Sequence, residues 1–66
     1  MDNEESKKSL GHIYNNLGMA FSSMLKYDQA IEYFQKSIDI YILLFGPDDI
    51  GVGNRKNNVN ISYLLG

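Results

Sequence analysis

Apolar residues in the first third of the chain fall at Leu10, Ile13, Tyr14, Leu17, Ala20, Phe21, Met24 and Leu25. Gaps of three and four place them along one face of a helix. The pattern predicts a first helix over roughly residues 8–24. Ser6 and Ser9 are suited to cap its orphan amides, and Glu4 and Glu5 lie where negative charge favours the helix dipole. After a break at Leu25-Lys26-Tyr27, Asp28 is positioned to cap a second helix. Its stripe is Ala30, Ile31, Phe34, Ile38, Tyr41, Ile42 and Phe45. Gln29, Glu32, Gln35, Lys36 and Asp39 form the polar side, with Glu32 and Lys36 a favourable i,i+4 pair. Gly46-Pro47 ends this helix, because glycine accepts the left-handed conformation past a helix end and proline cannot continue the ladder.

A third helix is expected at about residues 50–64, capped by Asp48 or Asp49 and carrying Val52, Val59, Ile61, Tyr63 and Leu64. Gly51, Gly53 and four asparagines are poor helix formers, so it should be the least stable element. No alternating stretch suggests a strand. The chain therefore reads as all-α, an antiparallel helical hairpin plus a third helix. Tyr33, Ile40, Leu43 and Leu44 fall outside the main stripe of the second helix and predict apolar surface over its C-terminal half, which usually marks an interface.

Composition sharpens the question of what completes the core. The chain has 66 residues and no cysteine, which removes disulfides, thiolate catalysis and cysteine-bound zinc. A domain near this size hides only about 60% of the surface its unfolded chain exposes. At 44% hydrophobic and 21% charged, the sequence is too apolar for a disordered chain. The net charge of −2 comes with scattered basic residues, whereas nucleic-acid binding needs a concentrated basic face. Tyr41-Ile42-Leu43-Leu44-Phe45 is far shorter than the roughly 20 residues of a membrane span. The acidic, polar start is unlike a signal peptide. The expectation is a soluble cytoplasmic protein with no nucleic-acid or membrane partner.

The sequence also repeats itself. At a shift of 42 residues, Gly11, Asn15 and Asn16 fall on Gly53, Asn57 and Asn58, while Leu10, Leu17, Met19 and Phe21 fall on Val52, Val59, Ile61 and Tyr63. Identities and apolar phase coincide, so the chain reads as one helical hairpin plus the first helix of a second copy.

Tyr14, Leu17, Gly18, Phe21, Tyr27, Ala30 and Phe34 resemble the tetratricopeptide repeat pattern: a bulky residue, Leu-Gly, an aromatic, then Tyr-x-x-Ala-x-x-x-Phe. Small Gly18 and Ala30 let the two helices approach, and Tyr14, Phe21 and Phe34 fill the space beside them. Leu25 stands where the family usually has a turn glycine and Ser37 where it has alanine; its usual proline near Ile42 is absent. The long period, Asn15-Asn16-Leu17 and Leu44-Phe45-Gly46-Pro47-Asp48-Asp49 look like the kinesin light chain subfamily. Ile50 replaces that subfamily's proline and Lys56 an apolar residue, so the second copy is degenerate or a terminal cap. The resemblance implies about 1.5 repeats of an α-solenoid. Residues 1–7 are then a frayed, solvated end, 8–45 the helix A/helix B hairpin, 46–49 a loop, and 50–66 helix A of the next repeat.

It also implies a non-catalytic protein-interaction module whose helix A faces line a peptide groove. By that resemblance Asn15, Asn16, Asn57 and Asn58 face the groove, with Met19 one turn along; asparagine amides can both donate to and accept from a peptide backbone. The same residues would also suit an ordinary polar surface, and Met19 could equally pack between helices. Other chemistry is thin. His12 has no ligand partners at metal spacing and reads as a surface residue. Asp48-Asp49 lacks the alternating oxygen ligands of a calcium loop, and Gly11 and Gly18 lie inside a helical pattern without a preceding strand. No catalytic, metal or cofactor site is expected. The alternative is a structural hairpin that forms homo-oligomers. Arrays need about three repeats for stability, so a neighbouring repeat, in cis or in trans, is the expected partner.

Overall fold

A computed structural model describes residues 3–65. Among them the chain forms three helices, α1 (Asn3–Ser23), α2 (Tyr27–Phe45) and α3 (Ile50–Leu65), an all-α fold. α2 is central, and α1 and α3 each pack against it. Met1 and Asp2, part of the end expected to fray, and Gly66 lie outside the described residues.

α1 begins five residues before the expected start, so Ser6 and Ser9 sit within the helix and cap nothing. Glutamate and lysine are strong helix formers, and Glu4, Glu5, Lys7 and Lys8 extend the helix outward; residues 5–10 are all exposed. At its other end, Leu25 N–H donates to Ser22 O (3.0 Å) and Lys26 N–H to Phe21 O (2.9 Å). This is the Schellman pattern, which requires a left-handed residue at the position of Leu25. Leu25 supplies it at φ 62°, although a side chain there costs about 1–2 kcal/mol. Since Leu25 is 72% exposed, Leu25→Gly loses little burial. It should raise stability by about 1 kcal/mol, and a midpoint in urea unchanged or lower than wild type would refute the strain.

The turn delivers the chain directly into α2, whose N-cap is Lys26, without a side-chain cap; Asp28 lies inside the first turn rather than at the cap, where its charge still suits the dipole. At the far end Gly46 N–H donates to Ile42 O (2.9 Å). Gly46 has the expected positive φ of 92° but an extended ψ of 161°, so the chain leaves α2 straight instead of through a left-handed cap. Asp49 caps α3, its Oδ2 accepting from Gly51 N–H at 2.9 Å.

The core is Ala30, Phe34, Ile38 and Tyr41 of α2 with Val52 and Val59 of α3, flanked by half-buried Phe21, Ile31 and Ile42. α1 meets α2 through Gly11 and Gly18, both buried. A Cβ on Gly18 would lie 2.7 Å from two carbons of the Phe34 ring, and one on Gly11 2.7 Å from the Tyr41 ring. The glycines are therefore what lets α1 lie flat on these rings. Beside them Tyr33 stacks on Phe21 at 5.4 Å and on Tyr14 at 6.0 Å. Tyr33, expected on the free surface of α2, is thus packed against α1, whereas Leu43 remains 68% exposed. The Glu32–Lys36 pair forms at 4.0 Å and is solvent-exposed, so it contributes little. Lys36 also lies over the Tyr14 and Tyr33 rings at 5.6 and 5.4 Å.

The predicted stripe of α1 divides in two. Tyr14 and Phe21 face α2, while Leu10, Ile13, Leu17 and Met24 are 37–55% exposed. One helix with two apolar faces can satisfy only one of them against a single neighbour.

Candidate functional site

A concavity lies between α1 and α3. It is an open cleft of about 270 Å³ lined by Met19, Ser22, Ser23, Phe34, Asn58, Ile61 and Ser62. Phe34, only 3% exposed, forms its floor, and Met19 and Ile61 stand 53% and 46% exposed on its two walls. These positions follow from the helical register. Met19, Ser22 and Ser23 share the outer edge of the last turns of α1; Asn58, Ile61 and Ser62 repeat that spacing on α3. The walls offer a flexible methionine and a branched isoleucine beside hydroxyls and an amide, while Ser23 Oγ is occupied locally, donating to Met19 O at 3.1 Å.

Of the five groove candidates, the structure brings Met19 and Asn58 to this cleft, and Asn15, Asn16 and Asn57 do not line it. Asn15 instead turns along its own helix, its Nδ2 3.6 Å from Met19 Sδ, with Oδ1 buried and unpaired. Asn16 and Asn57 are exposed. The residues taken for repeat packing hold the hairpin together at Gly18, Ala30, Phe34, Tyr14 and Phe21, with Tyr27 half-buried; Leu17 lies on the outer face of α1.

Sequence reasoning missed Ile61 as a wall residue even though the 42-residue shift pairs it with Met19. It also missed Arg55. Ser37 is fully buried between helices, donating to Gly11 O at 2.7 Å, and accepts from Arg55 Nε at 3.0 Å. Arg55 further donates Nη1 to Gly51 O (3.1 Å) and lies 3.7 Å from the centre of the Tyr41 ring. Ser37 thus uses its hydroxyl in both senses, joining α1, α2 and α3. Arg55 is the polar clamp that holds α3 down. Tyr41 is also edge-on to His12 at 5.7 Å and stacked on Phe45 at 5.5 Å, and its hydroxyl is buried without a partner. His12 is exposed, and no cluster of three or more potential metal ligands occurs among the described residues. No helix among them is long and apolar enough to cross a membrane.

The geometry defines an α-helical repeat hairpin, with small residues at the helix crossing and a third helix laid against the second. More particularly, residues 11–41, the later part of α1 and most of α2, match the family model of the tetratricopeptide repeat. No curated protein and no solved structure matches the chain. Tetratricopeptide repeats generally mediate protein–protein interaction and are generally non-catalytic.

Proposed function

We propose that the chain binds an extended segment of a partner protein in the cleft between α1 and α3. The observation that carries this reading is the cleft itself, which exposed Met19 and Ile61 line together with the buried Phe34 ring and Asn58. A peptide side chain would fill the apolar centre, Met19 adapting its shape to it. The Asn58 amide would pair with the peptide backbone. Asn15, Asn16 and Asn57 are then rim residues at most.

We further place the repeat with the long, kinesin light chain-like type. Support comes from α2, which runs 19 residues to Phe45, and from the Leu44-Phe45-Gly46-Pro47-Asp48-Asp49 segment that follows. The 42-residue internal period points the same way.

Selection from a phage-displayed library of random peptides tests the proposal. Enriched sequences should bind wild-type protein and lose at least about tenfold in affinity to Met19→Glu, a change at an exposed position that puts a charge into the apolar wall. Isotope-labelled protein should show amide shifts at Met19, Asn58 and Ile61 on adding such a peptide. No enrichment, or binding that Met19→Glu leaves untouched, would refute it.

A further inference from the structure

The 42-residue repeat says what belongs on the uncovered face of α1. On α3 the residues turned towards α2 are Val52, Arg55, Val59 and Ser62, all buried or half-buried. Shifted back by 42, they fall on Leu10, Ile13, Leu17 and Ala20 of α1, all exposed. The same register accounts for the reverse case. Gly11 is buried under the Tyr41 ring, while its counterpart Gly53 has nothing within 4 Å of a built Cβ. The outer stripe of α1 is therefore the same surface as the inner stripe of α3, one repeat earlier, and its complement is the face of α2 that α3 now covers.

The two stripes are unequal. That of α1 is wholly apolar, and Leu10, Ile13 and Leu17 are 41%, 52% and 37% exposed. That of α3 offers two valines, a serine and an arginine, on a helix that carries Gly51, Gly53, Asn54, Asn57, Asn58 and Asn60. A short Gly46–Asp49 connection joins α3 to α2, with open space around Gly46.

We infer that a second copy of this chain docks the outer stripe of its α1 on the face of α2 that α3 occupies in the isolated chain. α3 thereby acts as an internal stopper on head-to-tail stacking. The contact continues an interface already present within the chain, the α2–α3 packing. In the stack, Ile13 of the incoming copy takes the place of Arg55 over the Tyr41 ring, and Leu17 that of Val59 beside Gln35 and Ile38, residues that share a hollow with Val59. Each added copy leaves its own α2 covered by its own α3 until that helix is displaced in turn, so assembly is open-ended and heterologous rather than a closed dimer. What holds it in check is the intramolecular advantage of α3 and the Arg55 clamp.

Sedimentation velocity on the full-length chain across micromolar to millimolar concentration tests this. Wild type should pass from monomer to species larger than a dimer. Arg55→Ala, which releases the clamp, should lower the concentration at which they form by about tenfold. Leu17→Glu, at a partly exposed position, should keep either background monomeric with an unchanged far-UV circular dichroism spectrum. Because the chain has no cysteine, Leu17→Cys combined with Gln35→Cys gives a second readout that does not depend on Arg55. Oxidation should give a ladder in which mass spectrometry finds position 17 of one copy joined to position 35 of another.

Monomers throughout in both wild type and Arg55→Ala would overturn the proposal. So would assembly indifferent to Leu17→Glu, or a monomeric chain whose outer stripe binds only an unrelated amphipathic helix. Peptide binding by the Leu17→Glu monomer reports on the cleft separately, so the two proposals fail independently.

Discussion

Phe34→Ala is expected to cost about 3–5 kcal/mol, the range for truncating a buried phenylalanine. The ring is 3% exposed and lies directly beneath Gly18 of α1. It also floors the cleft that α3 completes. Removing it leaves α1 lying over a void, because the glycine that fits the ring flat has no side chain with which to refill the space. At roughly 0.05–0.15 kcal/mol per residue, a chain of this size holds only several kcal/mol in total. The variant should therefore lose most of its cooperative transition in far-UV circular dichroism melts. A midpoint within a few degrees of wild type would show that Phe34 is not the centre of the fold.

Gly18→Ala and Gly53→Ala form the second test, one substitution at two helical glycines with opposite expected signs. Alanine gains about 1 kcal/mol over glycine in a helix interior. At Gly53 that gain is unopposed, since a Cβ there meets nothing within 4 Å, and stability should rise by about that amount. At Gly18 the Cβ would lie 2.7 Å from Phe34 Cδ1 and Cε1 and 3.0 Å from Cγ. These are ring atoms that cannot step aside one at a time. Overpacking of this kind costs about 1–3 kcal/mol, and with several close contacts it should outweigh the helix gain. Urea titrations of the two variants should separate by about 1–3 kcal/mol, Gly18→Ala below wild type and Gly53→Ala above it. Two shifts of the same sign would mean that α1 and α2 do not approach at Gly18 as described.

Much of the fold was legible in particular residues. The first two helices follow from spacings of three and four, the stop at Gly46-Pro47 from the chemistry of those two residues, and the cap at Asp49 from its position before the third group of apolar residues. Helix starts were less legible. Asp28 has capping chemistry, but the Schellman turn through Leu25 and Lys26 had already begun the helix. Ser6 and Ser9 were bypassed by good helix formers upstream. Of the site, Met19 and Asn58 were legible through resemblance, while Ile61 was passed over although the 42-residue shift pairs it with Met19. Arg55 was not, because a basic residue in a polar helix reads as solvated until a buried hydroxyl and a ring face are found opposite it.

By itself the sequence determined the elements and their small-residue crossing points, since helix periodicity, turn chemistry and the Gly-to-ring pattern are local or nearly so. Only the tertiary structure decided which face of each helix is used. Gly11 and Gly53 align in the repeat, yet one is pressed against Tyr41 and the other faces open space. Leu17 and Val59 align as well, yet Val59 is buried and Leu17 is not. The physical reason is that burial belongs to a pair of surfaces. α2 has two sides and holds a helix on each, while α1 and α3 each have one neighbour, so identical residues one repeat apart meet a core in one copy and solvent in the other.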